Sequence, residues 1–358
     1  MLTAGHARGQ VRYAWIDANS TAAPDSLTVA APVLARHLTR YVFGDAQKAR
    51  ALYVWITHNI RYDVEQIEAS RSLGSTAETL ARRGGVCQDY AELFAAMASA
   101  VGLECHVVSG YTKDHRGIAP VGHAWNAVLI DSSYLLIDAT WGAGYLEGAR
   151  FRQHFDEAYF LVAPTDLLTT HMPFDPIWQF STAPITHAEF VSRTPAPHER
   201  RGGGTPVRSL PERSHDGSPV ALEAALARMG ELADDTESLK LELPRKHYRE
   251  SVLGLALAHG ERAVRAYNVY VDFYNRRWRA PRLSDADLAR TYAEAEMHVD
   301  AALEALTRIA SAPPSQRTAM GADAASDQLR DLRAAVRAGR SVVDRYLRTW
   351  KPLRMFVM

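Results

Sequence analysis

The chain has 358 residues, more than one hydrophobic core usually organises, so two domains are expected. Its 41 Lys+Arg balance 41 Asp+Glu, which excludes a global field that would draw in nucleic acid or an anionic membrane. A hydrophobic share of 47% excludes wholesale disorder, and the two cysteines, Cys87 and Cys105, are too few for a disulfide framework.

The first twenty residues lack an apolar run of signal-peptide length, and no segment approaches the ~20 apolar residues of a membrane span. A cytoplasmic protein is expected, with export by a route lacking a classical signal peptide left open. From Ala46 to Ile60, residues Ala49, Leu52, Tyr53, Ile56 and Ile60 recur at helical spacing. Ala77 to Ala81 suggests a short helix before the Gly84-Gly85 break. A longer helix is expected from Cys87 to Ala100, with Tyr90, Leu93, Phe94, Met97 and Val101 as its stripe and Gly102 as a left-handed cap.

The period then changes to two. Cys105 to Tyr111, His123 to Ile130 and Tyr134 to Asp138 read as strands, with Asp131-Ser132-Ser133 turning between the last two. A helix beside an antiparallel sheet defines an α+β domain over residues 1–191. Residues 192–219, rich in Pro and Gly with almost no large apolar side chain, read as a flexible linker.

Residues 220–358 are expected to form an all-α bundle of three or four antiparallel helices. One stripe is Val264, Tyr267, Val271, Tyr274 and Trp278, and a second is Leu288, Tyr292, Ala295, Val299, Ala302, Leu306 and Ile309. A third is Leu329, Leu332, Val336, Val343 and Trp350. Ser284 with Asp287 resembles a capping box, and Pro313-Pro314 is a stop signal.

The chemistry concentrates around Cys87. Two glycines precede it and a helix begins at it, so unpaired N–H groups and the positive end of the dipole favour thiolate there. A thiol needs a base, which His123 offers at the start of a strand, and an acid to orient that base, which Asp138 offers at the end of the next strand. A two-residue turn at Asp131-Ser132 would set Trp125 opposite Asp138 and leave His123 as its diagonal same-face neighbour, at a Cβ separation of ~7–8 Å. A turn at Ser132-Ser133 would shift the register and separate the pair. Cys105, mid-strand and away from any helix start, reads as inert core.

At these residues the sequence resembles a known family. RRGGVCQDYAELFAAMASAVGLECHVVSGYT, GHAWNAVLI and YLLIDATWGAG look like the blocks that carry Cys, His and Asp in the transglutaminase-like superfamily of papain-like cysteine enzymes. LYVWITHNIRYD upstream, with YFL and HMPFDPIWQ downstream, is similar to its kyphoscoliosis peptidase type. The resemblance covers about Tyr13 to Phe190; the bundle lies outside it. It implies a papain-like transglutaminase core and maps nucleophile, base and orienter onto Cys87, His123 and Asp138. By likeness to the tryptophan that follows the orienting residue in papain-like peptidases, Trp141 would shield the His–Asp hydrogen bond. The backbone N–H of Cys87 would donate to an oxyanion, with Gln88 as a candidate second donor.

Two functions follow as expectations. In the first, an enzyme forms a thioester on Cys87 from a peptide or glutamine carboxamide, and water or an amine resolves it, giving a peptidase, an amidase or an acyl transferase. In the second, the same fold is a non-catalytic interaction scaffold. A protein or peptide substrate is the expected partner, with a further protein partner docking on the bundle. No cofactor is expected: two cysteines in different elements and no His-Glu-x-x-His leave no zinc spacing. Gly202 to Gly204 lacks the Lys-Ser/Thr of a phosphate loop. The arginines 330, 333, 337, 340, 345 and 348 read as a solvated face paired with acids, without nucleic acid.

Overall fold

The computed structural model describes residues 4–68, 74–193, 218–230, 241–277 and 283–349. They divide into two compact units, one holding 4–193 together with 241–244, the other the helices that follow. The expected linker lies, for residues 194–217, outside the described residues.

In the first unit the helices Ala31–Leu38, Asp45–Asn59 and Cys87–Ala100 share one apolar core with one face of a sheet. Leu52, Ile56, Leu93, Phe94 and Met97 are fully buried there, which is the stripe expected from the 3.6-residue period. Gly102 follows the third helix with φ +75°, the left-handed cap that glycine adopts without a Cβ clash.

The sheet has β3 (Cys105–Asp114), β4 (Gly117–Ile130), β5 (Ser133–Ile137) and β8 (His171–Pro173) in antiparallel order β5-β4-β3-β8. Asn126, Val128 and Ile130 face the Cys87 helix, and the Asn126 Nδ2 donates to the Ala91 carbonyl at 3.0 Å. Trp125 and Ala127 of β4, with Tyr134 and Leu136 of β5, point the other way into a second core with Trp178 and Phe180. This alternation is the pleat read as a period of two. The β3–β4 hairpin runs past the expected strand ends, with its register shifted between Tyr111 and Lys113. Lys113 is buried there, its ammonium donating to the carbonyls of Phe190 and Arg193, so a charged residue that reads as loop is satisfied within strand.

Three further pairings were not expected. β1 (Arg61–Tyr62) lies parallel to β2 (Gly84–Gly85), pairing Tyr62 with Gly85. β6 (Gly144–Glu147) and β7 (Arg150–Gln153) form a separate hairpin. β8 adds to the edge of β3, where Gly110 is needed because a Cβ would meet the Met172 carbonyl oxygen at 2.2 Å.

In the second unit Asp285–Thr307 and Ala322–Arg348 pack with the C-terminal half of Glu242–Asn275. Ser284 caps the first of these, its Oγ accepting from the Asp287 N–H at 3.0 Å, and all seven residues of the stripe from Leu288 to Ile309 are buried. The stripe expected in Glu242–Asn275 is offset. Val264 and Tyr274 are 42% and 47% exposed, while Ala263, Ala266, Tyr270 and Phe273 face inward. The spacing is the expected one, but the helix turns small alanines to the core where larger neighbours suggested another face. Leu329, Val336 and Val343 of the last helix are buried as expected; Trp278 and Trp350 lie outside the described residues. Arg330, Arg333 and Arg340 pair with Asp327, Asp300 and Glu296 as a solvated face should. Among the described residues no helix is long and apolar enough to cross a membrane.

Candidate active site

Cys87 is the first residue of its helix, so its N–H has no partner within that helix. The entry into the helix is held by Asp89, whose Oδ2 accepts from the Val86 N–H at 2.8 Å. Gly85 makes room for it: a Cβ there would sit 2.6 Å from the Asp89 Cβ. The half-buried sulfur lies 4.0 Å from the carbonyl of Gly122, the residue before His123. Burial works against the thiolate, but the His123 hydrogen bond and charge, with the Ala124 N–H, bring the thiol below its ordinary value. Cys105 has no such neighbours. Burial pushes its thiol up to about 12, against a weaker opposing hydrogen bond from Asn126.

The β4–β5 turn decides whether His123 meets Asp138. Ile130 pairs with Ser133 and Asn126 with Ile137, so the turn is the two-residue Asp131-Ser132, both at positive φ (47° and 67°) as a type I′ hairpin requires. Of the two registers open in the sequence, this one continues with Trp125 opposite Asp138. His123 is then the diagonal neighbour, and its Nε2 donates to the Asp138 Oδ2 at 2.7 Å. The other ring nitrogen is left for the sulfur. Burial opposes the imidazolium, yet the Asp138 charge and hydrogen bond, then Cys87, hold His123 well above its ordinary value.

Asp138 is fully buried and accepts four hydrogen bonds. Its Oδ1 takes the N–H groups of Thr140 and Trp141 at 2.8 and 3.1 Å, capping the short helix Ala139–Ala143. Its Oδ2 takes His123 and also His171 Nε2 at 3.1 Å. Burial disfavours the carboxylate, and the His123 charge together with the bonds from both histidines reverses this, so the group stays ionised far below the usual carboxylate range.

His171 has no role in the sequence reading. It is fully buried in β8, with Thr170 Oγ1 2.8 Å from its Nδ1 and Trp141 and Trp125 ring centroids 4.6 and 5.2 Å away. Its only signal is a histidine in the block HMPFDP, whose pairing to the edge of β3 depends on a connection from Asp138 that leaves no periodicity. The Trp141 ring centroid lies 5.9 Å from that of His123 and 5.4 Å from that of Tyr159. Gln88 is turned elsewhere: its Nε2 donates to Glu92 one turn on at 2.8 Å. Tyr62 is the other residue the sequence reading missed. Its ring lies 6.2 Å from that of Tyr90 on the Cys87 helix, and burial, followed by the charge of Cys87, pushes its phenol up.

Ligating atoms of His123, Asp138 and His171 lie within 4.8 Å of one another, near enough to consider a cation. At 2.7 and 3.1 Å, however, each imidazole nitrogen that faces the carboxylate already shares a proton with it. Activated thiol, imidazole and buried carboxylate instead form a chain suited to nucleophilic attack with proton transfer.

Residues 32–139 match the model of the transglutaminase-like superfamily, a span that ends one residue beyond Asp138. The chain therefore carries a transglutaminase-like domain. Its relatives include kyphoscoliosis peptidase of Mus musculus, 32% identical over 166 residues that make up 44% of this chain and 25% of that one. Hillarin of Drosophila melanogaster is 29% identical over 44% of this chain and 21% of its own. For Lim and transglutaminase domain protein ltd-1 of Caenorhabditis elegans the figures are 27%, 44% and 24%. The chain thus spans about a quarter of the length of these relatives. A solved structure described as "Crystal structure of a TGase" overlaps 38% of this chain and 35% of that chain, at 20% identity and a TM-score of 0.27.

Proposed function

We propose that Cys87, His123 and Asp138 form the catalytic triad of a cysteine-dependent enzyme acting on peptide bonds or glutamine carboxamides. The supporting observation is the buried Asp138 carboxylate that holds the His123 imidazole at 2.7 Å, with the Cys87 sulfur 4.0 Å from the carbonyl of the residue before that histidine. Cys87 thiolate attacks the carbonyl carbon, and the carbonyl electron pair moves onto oxygen beside the Cys87 N–H. As the intermediate collapses the C–N bond breaks, and the His123 imidazolium gives its proton to the departing amine. The resulting thioester is attacked by water or by a second amine, whose proton His123 takes. The thiol leaves with that proton, as acid or as a new amide is released. Asp138 orients His123 and stabilises its charged form throughout.

Hydrolysis would make the protein a peptidase or amidase, in keeping with the name of its kyphoscoliosis peptidase relative, and amine capture would make it an acyl transferase. The second unit, with its solvated arginine face, would dock a protein partner. The test is mass spectrometry of a cell lysate incubated with the full chain or with Cys87→Ala. New peptide termini, deamidated glutamines or crosslinks produced by wild type alone would support the enzyme. Identical maps from the two proteins would overturn it and leave the non-catalytic scaffold in its place.

A further inference from the structure

We propose that His171 is a positioning residue for the reaction: its Nε2–H fixes the Asp138 carboxylate and, through it, the aim of His123. This role depends on the triad proposed above, and it gives a task to a buried histidine that the reaction as written leaves unused.

A carboxylate only accepts, so the 3.1 Å contact between His171 Nε2 and Asp138 Oδ2 puts a proton on that nitrogen. In the neutral ring Nδ1 must then accept, and Thr170 Oγ1 stands 2.8 Å from it with a hydroxyl that rotates to donate. The backbone beneath is pinned to β3: His171 pairs with Thr112, and the Lys113 N–H donates to the Thr170 carbonyl at 2.9 Å. Other rings surround the imidazole, with the centroids of Trp141, Trp125 and Tyr159 at 4.6, 5.2 and 6.4 Å. Strand pairing, hydroxyl and neighbouring rings thus hold His171 in one orientation, buried away from any substrate.

This anchor comes from outside the hairpin that carries His123 and Asp138. The Asp138 Oδ1 is held by N–H groups two and three residues further on, and Oδ2 by His123 across the β4–β5 hairpin. Without His171 the carboxylate would be held only by its own turn and by the ring it has to aim. His123 has to serve the sulfur first and the departing amine afterwards, so the oxygen that steers it needs a second partner that stays still. The two imidazoles reach that oxygen with centroids 5.4 Å apart and planes inclined at 58°, and its two lone pairs accommodate one N–H from each. His171 transfers no proton and keeps one tautomer throughout.

The burst of nitrophenolate released when p-nitrophenyl acetate acylates Cys87 reads the role. His171→Leu removes the donor with little change of volume, whereas His171→Gln returns an N–H for Oδ2 and an acceptor for Thr170. With circular dichroism reporting the fold, the burst of His171→Leu should slow by about 10–100-fold, the scale of one hydrogen bond to a charged group, and His171→Gln should recover most of that loss. In an Asp138→Asn background His171→Leu should slow acylation, followed by mass spectrometry of Cys87, by less than about threefold, because a residue that acts through the carboxylate no longer has it to hold. Should the leucine variant fail to fold, Thr170→Val, which removes only the hydroxyl that orients the ring, should slow the burst of the wild-type chain and leave that of Asp138→Asn unchanged. Equal slowing in both backgrounds would overturn the proposal, since the residue would then support the fold alone. So would a wild-type burst in His171→Leu, or a folded glutamine variant as slow as the leucine one. Wild type, Cys87→Ala and Asp138→Asn run in parallel keep the failures distinct: an unreactive wild type, or Asp138→Asn as fast as wild type, refutes the triad, whereas an intact triad with an indifferent His171→Leu refutes only the positioning role.

Discussion

Replacing Asp138 with Asn exchanges one oxygen for an NH2 group, and the surroundings decide where that group goes. The Oδ1 position faces two backbone N–H groups, those of Thr140 and Trp141, which cannot reverse. The Oδ2 position faces two imidazole nitrogens, which can, since each ring has two tautomers. The amide will therefore place its NH2 toward the histidines and require His123 to accept at Nε2. Its proton then moves to the nitrogen facing Cys87, the tautomer that cannot take a proton from the thiol. Restoring the productive tautomer means turning the NH2 onto Thr140 and Trp141, stranding two buried donors at about 1–3 kcal/mol each. A total of roughly 2–6 kcal/mol, at 1.4 kcal/mol per factor of ten, leaves about one molecule in 30 to about one in 10⁴ competent. The p-nitrophenyl acetate burst at pH 7 should slow by that factor while the circular dichroism spectrum stays that of wild type, because the amide still makes four hydrogen bonds. A folded Asp138→Asn protein acylated within tenfold of wild type would refute the reasoning and remove Asp138 from the triad.

Two other outcomes are expected. At pH 7, timed iodoacetamide labelling with peptide mapping should modify Cys87 far faster than Cys105, whose thiol at about 12 leaves about one thiolate in 10⁵; His123→Ala should remove most of the Cys87 labelling at pH 6, and a variant labelled as fast as wild type would sink the ion pair. Because the Asp138 carboxyl is held below its unfolded value of ~3.9, it contributes stability that is fully present above that pH and lost as pH falls toward its folded value. The difference in urea-unfolding free energy between wild type and Asp138→Asn should therefore shrink by about 1.4 kcal/mol per unit below about pH 3.5, and a difference constant down to pH 2 would contradict the assignment.

What was legible in the sequence was local. The Cys87 helix, its glycine approach and the two strands of the β4–β5 hairpin each depend on neighbours within a few residues, so propensity and period revealed them, while the choice between the Asp131-Ser132 and Ser132-Ser133 turns, which decides whether His123 meets Asp138, stayed open until the strand pairing was seen. The missing parts depend on long connections. Tyr62 arrives by a two-residue parallel pairing and His171 by a three-residue edge strand, and neither is long enough to show a period. The offset stripe of Glu242–Asn275 has a different origin. Large apolar residues on adjacent faces compete in a sequence reading, and the packing partners that favour Ala263 and Ala266 over Val264 belong to helices far along the chain.

The short hairpin also bears on the order in which the site comes together. His123 and Asp138 are fifteen residues apart, whereas Cys87 reaches Gly122 over 35 and His171 reaches Asp138 over 33. Closing the longer loops costs roughly 0.6 kcal/mol more per doubling of length, and hairpins close on a scale of ~1–10 μs. His123 and Asp138 can thus pair as soon as β4 meets β5, before the Cys87 helix docks. A folding intermediate of this kind would hold an oriented imidazole with no thiol beside it, so the nucleophile proposed at Cys87 would become reactive only when the rest of the core is in place.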